Sequence, residues 1–179
     1  MQNSILIVSV AALVASAPLS AAPSQVRVGP PIRIDQTAGQ HPSSETSQAT
    51  SPANPLVGIC GWNDFSPTGT RSIFGVTRDG GESWAESIVR PALPFQSPAE
   101  GDPMTAYDPR TGTLWAGAIS FGANGGVYCA RLEPGQSSFQ PSKMIQVASG
   151  TDKGWMAAGP DPTDPLKTRV YAAYDFGVA

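Results

Sequence analysis

The octapeptide Thr77-Arg78-Asp79-Gly80-Gly81-Glu82-Ser83-Trp84 constrains the fold more than any other stretch of this chain. Asp79 has a short side chain that can bond backbone N–H groups two residues on and fold the chain over. Gly80 and Gly81 supply the positive φ of a tight hairpin turn. Ser83 closes the loop through its hydroxyl, and Trp84 re-enters the sheet and buries a large ring beneath the turn. The pattern predicts a hairpin in a β-sheet. It speaks to architecture more than to chemistry.

A repeat surrounds this hairpin. Asn54-Pro55, Asp108-Pro109 and the pair Asp161-Pro162 and Asp164-Pro165 each precede an apolar, strand-like run. These turn-plus-strand units recur at roughly 54 residues, near the blade length of large propellers. The stretch from Glu133 to Phe139 reads as a decayed copy of the octapeptide. Glu133 stands for Asp79, Gly135 for Gly81, Ser137 for Ser83 and Phe139 for Trp84, again about 54 residues on. Each unit predicts four strands. The first covers residues 46–50, 56–62, 72–77 and 83–89. The second covers 104–107, 113–121, 126–131 and 143–148. A third begins with 154–158 and 169–176. Four antiparallel strands at this period imply an all-β fold, a β-propeller of about two and a half four-stranded blades. The blades fall at 52–98, 99–150 and an incomplete 151–179. Two and a half blades do not close a ring, so the sequence reads as part of a longer chain.

Charge supports the same class. Charged residues make up 14% of the chain, while Gly numbers 19 and Pro 18. That mix suits short strands joined by punctuated turns. The net charge is −3 with no Lys/Arg cluster, which excludes a nucleic-acid partner on electrostatic grounds. Residues 1–22 read as a secretory signal, with an apolar run from Ile5 to Val14 and a small-residue cleavage region at Leu19-Ser20-Ala21-Ala22. The n-region departs from the usual pattern in having no Lys or Arg. Localisation is then secreted or periplasmic, with no membrane contact after cleavage. Residues 23–51 form a Pro/Ser/Thr-rich N-terminal segment. In an oxidising compartment Cys60 and Cys129 are either a disulfide or two buried thiols. Two scattered thiols and the single His41 do not make a zinc site. No loop has the oxygen spacing of a calcium site. No metal or cofactor is expected.

The octapeptide and three further phrases carry a family resemblance. They are Val57-Gly58-Ile59-Cys60-Gly61-Trp62-Asn63-Asp64-Phe65, Gly101-Asp102-Pro103-Met104-Thr105-Ala106-Tyr107-Asp108-Pro109 and Asp152-Lys153-Gly154-Trp155-Met156-Ala157. Together they resemble the sialidase-like superfamily of secreted proteins with BNR/Asp-box repeats, over roughly residues 45–176. The resemblance makes Thr77, Asp79, Gly81, Ser83 and Trp84 a structural Asp box at the blade periphery. It implies, for a sialidase, three arginines on a sugar carboxylate, a Tyr–Glu nucleophile pair and an Asp acid/base. Arg33, in Ile32-Arg33-Ile34-Asp35, keeps the Arg-Ile of the first-arginine phrase but lacks its Phe and Pro. Asp64 follows at a spacing that suits a catalytic Asp on a loop after a strand. These two are the catalytic candidates; the plainer readings are an edge-strand charge and a turn residue. Asp102 and Asp152 begin innermost strands and are candidates to bind substrate at a central channel. Trp62, Trp115 and Trp155 read as packing between blades more than as sugar platforms. His41, on a loop with no evident partner, supports no Ser-His-Asp set.

The function that follows is a secreted propeller that engages a glycan or an extracellular or cell-surface protein, without a complete catalytic set. The alternatives are the N-terminal part of a glycoside hydrolase of exo-α-sialidase type, and a non-catalytic protein-binding scaffold. The resemblance leaves open whether the whole protein is an enzyme.

Overall fold

Ten strands and no helix make up the described residues, which are 29–35, 41–97, 99–148 and 150–176 of the computed structural model. The signal assigned to residues 1–22 lies outside them. No helix among the described residues is long and apolar enough to cross a membrane. Residues from Ile32 onward form one unit, and residues 29–31 belong to a separate one.

The strands are β1 (Ser43–Thr50), β2 (Gly58–Ser66), β3 (Gly69–Thr77) and β4 (Ala85–Ile88), then β5 (Glu100–Tyr107), β6 (Leu114–Ser120), β7 (Gly126–Leu132) and β8 (Lys143–Val147), then β9 (Thr151–Pro160) and β10 (Thr168–Phe176). They form two four-stranded antiparallel sheets in sequence order and a third sheet of two strands. This is the all-β propeller arrangement, two full blades and the inner half of a third.

Two strands differ from expectation. The first sheet takes its innermost strand from Ser43–Thr50, upstream of residue 52. Its sequence, Ser-Ser-Glu-Thr-Ser-Gln-Ala-Thr, has almost no apolar residue. It needs none, because it pairs with β2 through the backbone and leaves most of its side chains in open space. Asp64 lies inside β2 and not on a loop or in a turn. The reversal comes later, at Pro67-Thr68, between Ser66 and Gly69, which pair with each other. The hydroxyl of Ser66 donates to Gly69 O at 2.8 Å, and Gly69 takes a φ of 130°.

The period of two along each strand sorts its residues between faces. Ile59, Phe74 and Val76 of the first sheet meet Leu114, Ala116, Ala118, Tyr128 and Leu132 of the second in one buried layer. The opposite face of the second sheet, with Met104, Ala106, Val127 and Cys129, meets Met156 and the partly buried Val170 and Ala172 of the third. Cys60, Trp62 and Ile73 occupy the outer face of the first sheet under Ile34 and Trp84. Both cysteines are buried free thiols, raised above the ordinary thiol range by burial. The disulfide reading therefore falls. Cys60 and Cys129 lie on faces that never meet, with the layer around Phe74 and Tyr128 between them.

Hydrogen bonds between sheets recur at a fixed spacing. Ser47 and Thr105 join hydroxyls at 3.0 Å, Arg78 Nη2 donates to Gln136 O at 2.7 Å, and Arg110 Nη2 donates to Thr168 Oγ1 at 2.9 Å. Each pair is separated by 58 residues, a few more than the repeat, so nearby points of successive blades are tied. The turns before the strands also repeat. Asn54, Asp108 and Asp161 each accept the backbone N–H two residues on with a side-chain oxygen, at 3.1, 2.9 and 2.8 Å.

The octapeptide forms the β3–β4 hairpin. Gly80 and Gly81 have φ of 78° and 97°. Asp79 reaches further than two residues: its Oδ1 accepts the Ser83 N–H at 3.0 Å, and its Oδ2 accepts the Ser83 hydroxyl at 2.5 Å. Thr77 is the residue that holds the glycines, its Oγ1 accepting the Gly81 N–H at 2.8 Å while it donates to Asp79. The half-buried Trp84 donates from Nε1 to Gly81 O at 3.1 Å. In the second blade Gly135 takes a φ of 80°, and the Phe139 ring meets Phe74 with centroids 6.3 Å apart.

These bonds, those from Ser83 foremost, hold the Asp79 carboxyl at about 2, well below the ordinary carboxylate range. A depressed carboxylate contributes stability above its unfolded pKa and loses it as pH falls through the folded value. Asp79→Asn keeps one acceptor and cannot take the Ser83 hydroxyl at the other. Its thermal midpoint is expected to fall below that of the parent near neutrality. The gap should narrow as pH drops from about 4 toward about 2. A constant gap across that window, in melts followed by far-UV circular dichroism, would remove the carboxylate from this role.

Candidate functional site

Three non-glycine residues among the described ones have positive φ: Glu45 at 51°, Asp102 at 51° and Lys153 at 49°. Each is the third residue of an innermost strand, β1, β5 and β9. Lys153 follows Asp102 by 51 residues and Glu45 by 108, so one position of the repeat is used three times. The ladders slip at the same place, between Ser44 and Ser47, between Gly101 and Met104, and opposite Lys153. A bulge with one residue in the left-handed region re-aims a side chain at a cost of roughly 1 kcal/mol. Three blades bear that cost in register and turn three charged groups toward one place.

There the groups bind one another. Lys153 Nζ lies 3.1 Å from Glu45 Oε1. The Lys153 backbone N–H donates to Asp102 Oδ2 at 2.7 Å and to Asp152 Oδ1 at 2.9 Å. Asn63 Nδ2 donates to Glu45 Oε2 at 2.7 Å from the strand behind. The carboxyls of Glu45 and Asp102 are themselves within hydrogen-bonding reach. Burial foremost, then Glu45, pushes Asp102 up to about 6. Glu45 moves the other way, lowered by its bond with Asp102 and then by Lys153. The two carboxyls are therefore pushed apart in acidity, Asp102 the weaker acid and Glu45 the stronger.

Beside this cluster opens a cavity of about 630 Å³, lined by Glu45, Asp102, Lys153, Trp155, Tyr174 and Asp175 among others. Trp155 is 77% exposed on the free face of β9, and none of the packing between the described sheets uses it; the neighbouring Met156, on the other face, packs on the second sheet. Trp62 is buried and Trp115 half-buried, as packing residues.

The other candidates divide. Asp102 belongs to the cavity and Asp152 to its rim. Arg33 has a side chain 66% exposed and stands 3.9 Å from Asp35. Asp64 is buried on the face of the first sheet opposite that of Asn63, where its Oδ1 meets His41 Nδ1 at 3.1 Å. His41 thus has the partner that the sequence did not reveal. Asp64, His41, Arg71 and Glu86 share a separate cleft of about 400 Å³. Neither Arg33 nor Asp64 lines the cavity beside Asp102.

Glu45, Lys153, Tyr174 and Asp175 are the site residues that the sequence reading missed. Aligning Ser43–Ser47, Glu100–Met104 and Thr151–Trp155 would have placed Glu45, Asp102 and Lys153 in one column. Starting the first unit at residue 46 cut Glu45 out of it. Among the described residues no group of three His, Cys, Asp or Glu is placed to hold a metal ion.

No family model matches the chain, and no curated protein matches it. Among solved structures it is similar to the Hadza microbial sialidase Hz136, with a TM-score of 0.50 and 12% identity. The match covers 74% of this chain and 35% of that one, so the chain spans about a third of that sialidase. At this identity the likeness is one of fold, and the fold is sialidase-like.

Proposed function

We propose that this chain belongs to a secreted propeller protein with Asp-box repeats that binds a glycan in the cavity beside Glu45, Asp102 and Lys153. The observation that carries the reading is Trp155, a large ring exposed on the wall of a cavity that also presents the carboxylates of Glu45, Asp102 and Asp175. An indole face offers a platform to the apolar face of a sugar ring, and carboxylates accept its hydroxyls. The volume falls within the range of small-molecule sites. The hairpin closed by Thr77, Asp79 and Ser83 over Trp84 supports the Asp-box assignment, and the apolar run near the N-terminus supports export.

Tryptophan fluorescence titrated with oligosaccharides tests this. A binding sugar is expected to shift the Trp155 emission, and Trp155→Ala is expected to weaken binding about tenfold, or about 1.4 kcal/mol. The exposed ring contributes little to folding, so the thermal midpoint should barely move. If no saccharide binds, or Trp155→Ala binds as the parent does, the reading fails.

A further inference from the structure

The cavity also has a sign, and the sign selects among sugars. Glu45, Asp102 and Asp175 line it, with Asp152 at the rim, against one cation, Lys153. The Lys153 ammonium is committed to Glu45 at 3.1 Å and stands 3.9 Å from Asp152. Among the described residues no arginine lines the wall. The lining also presents the hydroxyls of Thr46, Ser47 and Tyr174, which can donate or accept, so the charged acceptors are the carboxylates. The carboxylates accept and do not donate when ionised. The indole of Trp155, exposed beside them, attracts a cation to its face.

On the glycan reading above, we infer that the bound sugar carries a free protonated amine, as in a glucosamine oligomer, and that sugars bearing a carboxylate are excluded. An ammonium brings three donors and a positive charge to a wall of acceptors and negative charge. A carboxylate there meets like charge with no guanidinium to receive it, which is how a site rejects a wrong partner. N-acetylation removes the charge but also adds an acetyl group, so Asp175→Asn, which removes charge from the protein and leaves the ligand unchanged, separates charge from fit. The ionisable groups that face the ligand are Glu45 on β1, Asp102 on β5, Asp152 and Lys153 on β9 and Asp175 on β10. Of these, Asp102 loses its proton near pH 6. Affinity for the amine therefore rises as pH climbs through that value.

Isothermal calorimetry on the full chain, with glucosamine oligomers, their N-acetylated counterparts of equal length and sialyllactose, tests the inference. Glucosamine oligomers are expected to bind at least about tenfold more tightly than the acetylated ones, and sialyllactose not at all. Asp175→Asn, at an exposed position that leaves folding intact, should cut that preference to about threefold or less. Equal binding of the acetylated oligomers, tighter binding of sialyllactose, or a preference unmoved in Asp175→Asn overturns the amine and leaves the glycan reading standing. Binding of none of the three overturns both.

Discussion

Phe74→Ala is expected to destabilise the chain by about 3–5 kcal/mol, the range for removing a fully buried aromatic ring from a core. Phe74 is completely buried in the layer between the first and second sheets. Its ring touches Phe139 and lies over Gly61, where even one added methyl carbon would come within 2.9 Å of Phe74 and of Pro103. A glycine cannot move into the space an alanine would leave, so a cavity stays. Domains of this size have net stabilities of about 5–15 kcal/mol, so about a fifth or more is at stake. Urea unfolding followed by circular dichroism reads the loss as a lower midpoint at unchanged slope. A cost below about 1 kcal/mol would mean that the two sheets are not packed through this ring.

Asp108→Ala should cost about 2–3 kcal/mol near neutrality, for a different reason. The Asp108 carboxyl is fully buried, accepts the Arg110 N–H at 2.9 Å and the Thr111 hydroxyl at 2.6 Å, and also accepts the Thr168 hydroxyl from the third sheet. Alanine strands these donors in the interior. Burial alone would raise the Asp108 pKa, but the hydroxyls of Thr111 and Thr168 and the Arg110 amide outweigh it and lower it. Its contribution is therefore present above the unfolded pKa and fades as pH falls through the folded value. The penalty for Asp108→Ala should shrink in acid below about pH 4. Hydrogen exchange should show the Thr168 end of β10 and its partner Pro160 end of β9 losing protection first, because Thr168 is one of their ties to the second sheet. Uniform loss of protection across all three sheets would contradict that assignment.

The architecture was largely legible because turns announce themselves in residue chemistry. Asp79-Gly80-Gly81, Asp108-Pro109 and Asp161-Pro162 each combine a side chain that captures nearby backbone with a residue of restricted or permissive φ. The apolar runs between them have the right length for strands. Two things were harder to see. β1 has a hydroxyl-rich sequence because its side chains have no core to enter, so hydropathy gives no signal for its start at Ser43. Asp64 looked like a turn residue because Asn63-Asp64 resembles turn chemistry, whereas the reversal belongs to Pro67-Thr68. The site suffered most. Glu45, Asp102 and Lys153 share a repeat position and a backbone conformation but not a residue type, and their meeting is created by bulges in three separate sheets. Trp155 followed the usual rule for an aromatic in a strand until the face it occupies was known.

Convergence of these three strands is most directly tested by carbon-detected NMR titration of the carboxyl groups of Glu45 and Asp102, in the parent chain and in Glu45→Gln. The expected result is an Asp102 carboxyl that titrates near 6, and that moves down toward the ordinary carboxylate range once Glu45 no longer bears charge. An Asp102 that titrates near 4, the same in both proteins, would place the two carboxyls in separate surroundings and contradict the site described.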